Sequence, residues 1–280
     1  MRTGRLSLLV AALLLSLVRP AQAQYRWLHL PPTPKLPVAE RSGYAPVNGV
    51  RIWYAEFGHG EPVILVHGGL ANSNYFGLQV RALAPHYRVI VLDSRCHGRS
   101  TCGRQPIGYD IMSSDVIAVM DYLHIPRAAL VGWSDGAIIG LDIAIHHGNR
   151  LTKLFAFAAN SDPSGVVFPE HNPVDAAEEA RLPGEYRALS PAPGRWKAFY
   201  DSVITMWKTQ PNFTARQLHS ITTPTWIVDA DHDEYITRSN TDFMAASIPG
   251  AGELILPAAS HFAFLQDPPM FNAALLNFLQ

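Results

Sequence analysis

The stretch LVGWSDGAIIGL, residues 130–141, begins as an apolar run, is interrupted by glycines, and resumes with apolar residues at helical spacing. Gly132 and Gly136 lie two positions before and after Ser134. Glycine tolerates backbone turns that other residues do not, so this spacing predicts a sharp turn with Ser134 at its apex. The stretch therefore predicts a strand, a tight turn and a helix in succession.

The rest of the chain repeats this alternation of strand and helix. Short apolar runs bounded by Gly, Pro or Asp predict buried parallel strands, because a strand covered on both faces has no polar side. These runs are VRIWYAEF, PVILVHG, YRVIVLDS, AALVGWS, KLFAFAA, PTWIVDA and ELILPA. The segments between them with helical periodicity are NYFGLQVRALAPH, SSDVIAVMDYLH, GAIIGLDIAIHHG and NTDFMAASI. The pattern predicts an α/β fold with a mostly parallel, doubly wound sheet.

One interval, residues 160–223, is too long for a plain connection between strands. It contains three segments with helical periodicity, AAEEARLPGEYRAL, GRWKAFYDSVITMWK and TARQLHSI. We interpret it as a helical cap inserted between late strands, over the carboxyl edge of the sheet. The alternative is a helical insert that contacts no site. Several large cap residues either form an apolar pocket or are simply the core of the cap: Trp196, Phe199, Tyr200, Met206 and Trp207.

The first residues have the pattern of a signal peptide. Arg2 and Arg5 precede an apolar run over residues 6–18, which is followed by a small-x-small Ala-Gln-Ala site. We expect residues 1–23 to be cleaved before Gln24 and the protein to be exported, to the periplasm or the medium. The alternative is an uncleaved anchor, which the short apolar run disfavours because a membrane-spanning helix needs about 20 apolar residues. No stable membrane anchor is therefore expected after cleavage.

The remaining chain divides into a tether and one domain. Residues 24–46 are rich in proline and predict an extended N-terminal segment along the surface. Residues 47–280 are enough for one α/β domain with a full core. Loss of the signal peptide removes three arginines and no acid, so the net charge falls from −1 to −4. Because no cluster of Lys and Arg is present, we expect neither nucleic acid nor an anionic membrane as a partner.

Cys96 and Cys102 are the two cysteines of the chain. An exported protein matures where disulfides persist, so a local disulfide between them is one expectation. Two unpaired thiols are the other, because the spacing does not fix the distance between the two Cα atoms. Without a clustered set of histidine ligands, we predict no metal site.

The position of Ser134 raises the question of how its hydroxyl would react. A serine hydroxyl is a weak nucleophile unless an imidazole accepts its proton and a carboxylate orients that imidazole. In a strand, turn and helix of this kind, the acid and then the histidine follow on later strand ends. His261 follows the run ELILPA, and four acids lie at or just after the end of PTWIVDA: Asp229, Asp231, Asp233 and Glu234.

Several of these motifs resemble, in order and spacing, those of the α/β-hydrolase superfamily, in its small esterase, lactonase and haloperoxidase-like branch. The motifs are ILVHGG, VLDSRCHGRS, LVGWSDG, WIVDADHDEYI and PAASHFAFLQDPPMFN. The GWSDG turn is similar to that of biphenyl-hydrolase-like, valacyclovirase-type esterases. The resemblance implies the α/β-hydrolase fold, Ser134 as nucleophile and His261 as base. It aligns Asp233 with the acid of the triad, although Ala230 replaces the usual glycine, and leaves Asp231 as the second choice.

The same resemblance addresses the groups around the nucleophile. An oxyanion hole needs two backbone N–H donors. One is expected from Asp135, directly after the nucleophile, and the resemblance points to Gly69 for the other. We expect Leu70, Trp133 and Trp207 to contact substrate, and His67 to shape the loop after ILVHGG. The carboxylate of Asp135 either attracts a cationic substrate group or favours the helix N-terminus.

Together these features predict a serine hydrolase that acts on carboxylic esters of small to medium apolar or aromatic substrates. A serine at the turn disfavours dehalogenation and epoxide opening, which need a carboxylate there. Lactones, thioesters, amides and peracid formation use the same triad and stay open as alternatives. A hypothesis from another class is a ligand-binding protein without turnover on the same scaffold. We predict no cofactor, and the sequence does not indicate the oligomeric state.

Overall fold

The computed structural model describes residues 21–280. The predicted signal peptide, residues 1–23, lies outside the described residues except for its last three positions. No helix in residues 21–280 is long and apolar enough to cross a membrane.

The described chain forms an eight-stranded sheet with the order β1-β2-β4-β3-β5-β6-β7-β8. The strands are β1 (Arg41–Val47), β2 (Val50–Phe57), β3 (Pro62–Val66), β4 (Arg88–Leu92), β5 (Ala128–Trp133), β6 (Leu151–Phe157), β7 (Thr225–Ala230) and β8 (Gly252–Leu256). Strands β3 to β8 pair in parallel, whereas β1 and β2 are antiparallel to their neighbours. The mostly parallel sheet predicted from the apolar runs is confirmed.

The helices cover both faces of the sheet. They are α1 (Gly77–Leu83), α2 (Tyr109–Tyr122), α3 (Asp135–His147), α4 (Pro173–Leu189), α5 (Trp196–Thr209), α6 (Ala215–His219), α7 (Arg238–Ser247), α8 (Ala263–Gln266) and α9 (Pro268–Leu279). Helices α2, α3 and α7 contribute to one apolar core, and α1, α8 and α9 contribute to a second core. This is the doubly wound arrangement, because a sheet apolar on both faces must bury both.

The sheet begins within the segment that the prolines predicted to be a tether. Strand β1 (Arg41–Val47) pairs with β2 through a two-residue turn at Asn48 and Gly49, both of which have positive φ, 46° and 75°. An Asn-Gly turn of this kind matches the twist of two antiparallel strands. The prediction that residues 24–46 lie outside the domain is therefore wrong from Arg41 onward. The single proline of β1, Pro46, is tolerated because β1 is an edge strand.

The loop after β4 is held by buried polar contacts and a disulfide between Cys96 and Cys102. Cys96 has a φ of 69°, in the left-handed region that favours glycine. Next to it, Arg95 forms an ion pair with Asp115, and both side chains are almost fully buried. The disulfide and the buried ion pair give this loop a structural role.

The interval between β6 and β7 contains α4, α5 and α6. Part of α4 and α5 faces the carboxyl ends of β5 and β7, where a cavity separates these helices from the sheet. We refer to residues 160–223 as the cap.

Candidate active site

Ser134 occupies a tight turn between β5 and α3, with φ 54° and ψ −120°. Its backbone N–H donates to the carbonyl of Phe157, 2.9 Å away. A Cβ atom at Gly132 would lie 2.3 Å from the carbonyl oxygen of Gly136, and one at Gly136 would lie 1.9 Å from that of Val66. Both glycines are therefore required by the backbone packing around the turn, as the sequence predicted.

His261 and Asp233 are joined by a hydrogen bond in which His261 Nδ1 lies 2.8 Å from Asp233 Oδ2. The other carboxylate oxygen of Asp233 accepts from the backbone N–H groups of Tyr235 and Ile236, each at 2.8 Å. Both side chains of the pair are at most 5% exposed. The backbone that follows Asp233 thus holds its carboxylate in place, and the carboxylate in turn holds Nδ1 of the imidazole.

The other acids near the end of β7 have different partners. Asp231 is over one-third exposed and accepts from the backbone of Ala259. Asp229 is buried and accepts from the hydroxyl of Thr241, 2.6 Å away. Glu234 accepts from the backbone N–H of His261. Of the four acids that the sequence left open, Asp233 is the one in contact with the imidazole of His261.

Burial sets the protonation of this pair. It raises the pKa of Asp233 to about 6, and hydrogen bonds to that carboxyl group oppose the rise. It lowers the pKa of His261, and the nearby carboxylates of Glu234, Asp229 and Asp135 oppose that change. The imidazole is therefore neutral over the neutral pH range, and its second nitrogen is available to accept a proton.

Ser134 and His261 line the same cavity beneath the cap, whose empty volume including its open mouth is ≈ 780 Å³. Leu70, Trp133 and Trp207, predicted to contact substrate, also line it. In the described part of the chain, no hydrogen bond joins the Ser134 hydroxyl to His261. Such bonds are often long in enzymes without substrate and tighten in the complex.

Gly69 and Asp135, the two predicted oxyanion donors, both line the cavity beside Ser134. Over residues 21–280, neither backbone N–H takes part in a hydrogen bond. A Cβ atom at Gly69 would lie 2.4 Å from Asp135 Oδ2 and 2.5 Å from the Trp207 ring, so this position excludes a side chain. His67 supports the loop: its Nε2 accepts from the N–H of Ser94, so its Nδ1 carries the proton and donates to the carbonyl of Gly68.

The side chain of Asp135 is held by two donors that lie far from it in sequence. Its Oδ1 accepts from the Tyr109 hydroxyl and from Trp207 Nε1, each 2.8 Å away. Its Oδ2 is buried and has no hydrogen-bond partner within residues 21–280. Burial raises the pKa of Asp135 to about 6, against the effect of these two hydrogen bonds. Within the described residues, the Asp135 carboxylate accepts from no backbone N–H of α3. No local pattern in the sequence pointed to Tyr109.

The cap contributes two of the five large residues considered for a pocket. Tyr200 and Trp207 line the cavity. Trp196, Phe199 and Met206 do not: Trp196 and Phe199 contact Tyr186, Phe199 also contacts His97 in the loop after β4, and Met206 is 2% exposed. For these three residues the pocket interpretation is wrong. The reason is that α5 turns only one face towards the sheet, and aromatic residues at helical spacing occupy both faces.

The cap wall contains an acidic group that the sequence did not indicate. Asp175, Glu178 and Glu179 on α4 line the cavity, together with Leu182 and other apolar residues. The Tyr235 hydroxyl donates to Asp175 at 2.6 Å and approaches Glu178 at 3.0 Å. Burial raises the pKa of Glu178 to about 8. These acids lie on a helix that the sequence placed in the cap, but nothing local shows which face of that helix points inward.

Tyr235 also contacts His261 of the hydrogen-bonded pair. Its ring lies edge-on to the imidazole of His261, with the ring centroids 4.9 Å apart. Within the described residues, no group of three or more His, Cys, Asp or Glu side chains is arranged to hold a metal ion.

The chain is similar to known hydrolases in sequence and in structure. A family model described as "Alpha/beta hydrolase family" matches residues 63–274. Serine hydrolase BPHL of Mus musculus is 26% identical over 290 aligned positions, which cover 94% of this chain and 98% of that protein. Among solved structures, Est816, described as an N-acyl homoserine lactone degrading enzyme, is 25% identical, with a TM-score of 0.66 and coverage of 84% of this chain and 100% of Est816. An enol-lactonase from Burkholderia xenovorans LB400 shares the fold at 23% identity and a TM-score of 0.69, over 85% of this chain and 99% of the enol-lactonase.

Proposed function

Because this chain belongs to the alpha/beta hydrolase family, we propose that it is an exported serine hydrolase that cleaves carboxylic esters of small to medium substrates through an acyl-Ser134 intermediate. The observation that carries the proposal is the hydrogen bond between His261 and Asp233 at a cavity that Ser134 also lines. A nucleophile, a base and a group that orients the base are the minimum set for this chemistry.

In the proposed reaction, His261 Nε2 accepts the proton of the Ser134 hydroxyl while the serine oxygen attacks the ester carbonyl. The negative charge that forms on the carbonyl oxygen faces the N–H groups of Gly69 and Asp135. The C–O bond to the alcohol then breaks, and the alcohol leaves with the proton from His261. A water molecule loses its proton to His261, attacks the acyl group and releases the acid, and the proton returns to Ser134.

The electrostatics of the cavity favour neutral or cationic substrates over anionic ones. Four acidic residues line the cavity, Asp135, Asp175, Glu178 and Glu179, and its described lining includes no Lys or Arg. With a pKa of about 8, Glu178 adds little to the negative charge at neutral pH. A cavity lined by one sign of charge raises the local concentration of ions of the opposite sign. We therefore expect esters with an ammonium group to be cleaved faster than matched esters with a carboxylate.

A lactone hydrolase is the second candidate. The similarity to Est816 favours it, since that protein is described as a lactone-degrading enzyme. A lactone would react by the same steps, except that the alcohol released from the ring stays attached to the acyl group. A lactone series measured beside the ester series separates the two candidates.

The experiment that tests the proposal is hydrolysis of p-nitrophenyl esters from acetate to decanoate by the purified protein. Ser134→Ala is the test variant and Ser202→Ala, an exposed cap serine, is the matched control. We expect turnover in the parent and the control but not in Ser134→Ala. A folded parent that neither turns over esters or lactones nor gives a burst of p-nitrophenol would favour the alternative of a ligand-binding protein.

We also propose that the protein is exported and loses residues 1–23. The disulfide between Cys96 and Cys102 supports this proposal, because disulfides persist in oxidising compartments. Cell fractionation followed by N-terminal sequencing tests it. We expect the protein outside the cytoplasm with Gln24 as its first residue, and an intact N-terminus in the cytoplasm would refute the proposal.

A further inference from the structure

The segment that precedes the sheet contacts both loops that carry the catalytic pair. We call residues 26–33 the N-terminal strap. Arg26 donates to the carbonyl of Pro257 at 2.8 Å and to that of Ala258, and it forms an ion pair with Asp267. Ala258 has a φ of 52°, a conformation that a residue other than glycine adopts at a cost, and it lies three residues before His261. Arg26 therefore stabilises the strained entry to the His261 loop.

The next strap residue contacts the loop of the triad acid. The Trp27 ring stacks on that of His232, with centroids 4.0 Å apart and planes 5° from parallel. His232 immediately precedes Asp233, and its backbone N–H donates to the carbonyl of Ala259. The loop that carries Asp233 and the loop that carries His261 are thus joined by a hydrogen bond, and the strap packs against the residue that forms it.

A third contact reaches the neighbour of His261 through Gln266. The amide nitrogen of Gln266 donates to the strap carbonyl of His29 at 3.0 Å and to the Ser260 hydroxyl at 3.0 Å. The amide oxygen of Gln266 accepts from the N–H of Ser260 at 2.8 Å. The strap therefore holds the side chain that orients the residue directly before His261.

The other end of the strap holds the cap. Arg181 of α4 donates to the carbonyl of Pro31 at 2.8 Å, and Thr33 donates to Glu185 of the same helix. Leu30 is 6% exposed and belongs to the apolar core formed with α1 and α9. Since Leu182 of α4 lines the cavity, the strap connects the cavity wall of the cap with the two catalytic loops.

We propose that the N-terminal strap is a positioning element for the catalytic pair, and that Arg26 and Trp27 are positioning residues for His261 and Asp233. The proposal rests on the proposed function. Neither residue lines the cavity, so neither is expected to touch substrate. Their effect is indirect: loops held from the outside keep the imidazole at one geometry, and errors of about 1 Å in such geometry cost up to about a hundredfold in rate.

The test uses Arg26→Ala and Trp27→Ala in the purified protein, with Arg26→Lys and Trp27→Phe as conservative variants. Val38→Ala is the matched control, since Val38 belongs to the same proline-rich segment and is 97% exposed. We expect kcat for a p-nitrophenyl ester to fall about tenfold in the two alanine variants, with a much smaller change in KM. The conservative variants should recover part of the loss and the control should match the parent.

A second measurement separates positioning from general stability and from the proposed function itself. Hydrogen exchange, measured well below the unfolding temperature, should become faster in residues 231–236 and 257–262 of both alanine variants and stay unchanged in β5 and α3. The proposal would be overturned if hydrogen exchange in these loops were unchanged. It would also be overturned if the folded variants had the same kcat, and the same dependence of kcat on pH, as the parent. If the parent cleaves no ester, the proposed function fails, and the exchange measurement still decides whether the strap holds the loops.

Discussion

Gly136→Ala is expected to separate α3 from β3. The added Cβ atom would lie 1.9 Å from the carbonyl oxygen of Val66, 2.5 Å from its carbonyl carbon and 2.8 Å from the carbonyl oxygen of His67. Ordinary contacts between carbon and other heavy atoms are about 3.5 Å, so the two backbones must move apart by more than about 1 Å. All three atoms are main-chain atoms of a buried segment, so no flexible side chain can move aside.

Two effects oppose each other in this variant. Alanine is a better helix former than glycine by about 0.5–1 kcal/mol, which would stabilise α3. Overpacking of a close-packed interior costs about 1–3 kcal/mol, and a clash with main-chain atoms belongs at the upper end of that range. We therefore expect the clash to dominate and the free energy of unfolding to fall by about 2 kcal/mol net.

Urea unfolding followed by tryptophan fluorescence measures this loss. Gly184→Ala is the matched control, because Gly184 lies in α4, is exposed, and has no atom within 4 Å of an added Cβ. There only the helix preference applies, so we expect a gain of about 0.5–1 kcal/mol. Activity should also fall in Gly136→Ala, since the clash displaces the segment that leads to Gly69. A Gly136→Ala variant as stable as the parent would refute the packing argument.

Three further predictions concern charge, tautomer and covalent structure. Burial raises the pKa of Asp135 from 3.8 to about 6, so the folded state binds more protons than the unfolded chain between these values and stability falls as pH rises. Asp135→Asn lacks this loss, so its free energy of unfolding should rise by up to about 3 kcal/mol relative to that of the parent between pH 4 and pH 7. A difference in urea unfolding that does not change with pH would contradict this. Asp233→Asn should lower kcat by about 10³- to 10⁴-fold, because the histidine loses the carboxylate that fixes its tautomer. Asp231→Asn should leave kcat nearly unchanged. Equal effects of the two changes on ester hydrolysis would reject Asp233 as the acid. The double change Cys96→Ser and Cys102→Ser opens a short loop, with a sequence separation of 6, and should lower the free energy of unfolding by about 2 kcal/mol. A reducing agent should then destabilise the parent but not the double variant, and equal sensitivity would contradict the prediction.

Predictions from the sequence were wrong mainly where a local pattern is compatible with more than one tertiary structure. Proline-rich composition predicted an extended segment over residues 24–46, but a 3-10 helix, Ala21–Leu28, covers its first residues. The composition also did not distinguish a free tether from the edge strand β1 (Arg41–Val47) or from the N-terminal strap. Pairing partners decide between these outcomes, and they lie elsewhere in the chain. The Asn48-Gly49 turn was the available local signal for β1, since both residues tolerate positive φ.

In the cap, the sequence predicted the helices but not which of their side chains face the cavity. Its helical segments were recognised from periodicity, and three helices occupy that interval. The inward face was not recognised, because α5 has large apolar residues on more than one side. Tyr200 and Trp207 face the cavity, whereas Phe199 packs between Tyr186 and His97. The acids of α4 were missed because an acidic helix face is normally exposed to solvent.

The sequence by itself determined the strand, turn and helix around Ser134, and the alternation that makes the sheet parallel. The first follows from the small size of the two glycines that flank Ser134, and the second from burial of the strands on both faces. The tertiary structure decided which acid meets His261, across 28 positions, and which donors hold Asp135, across 26 and 72 positions. It also decided that Arg26 supports a loop 232 residues away. Such contacts depend on how packed elements approach each other in space, and no local preference of the chain specifies that.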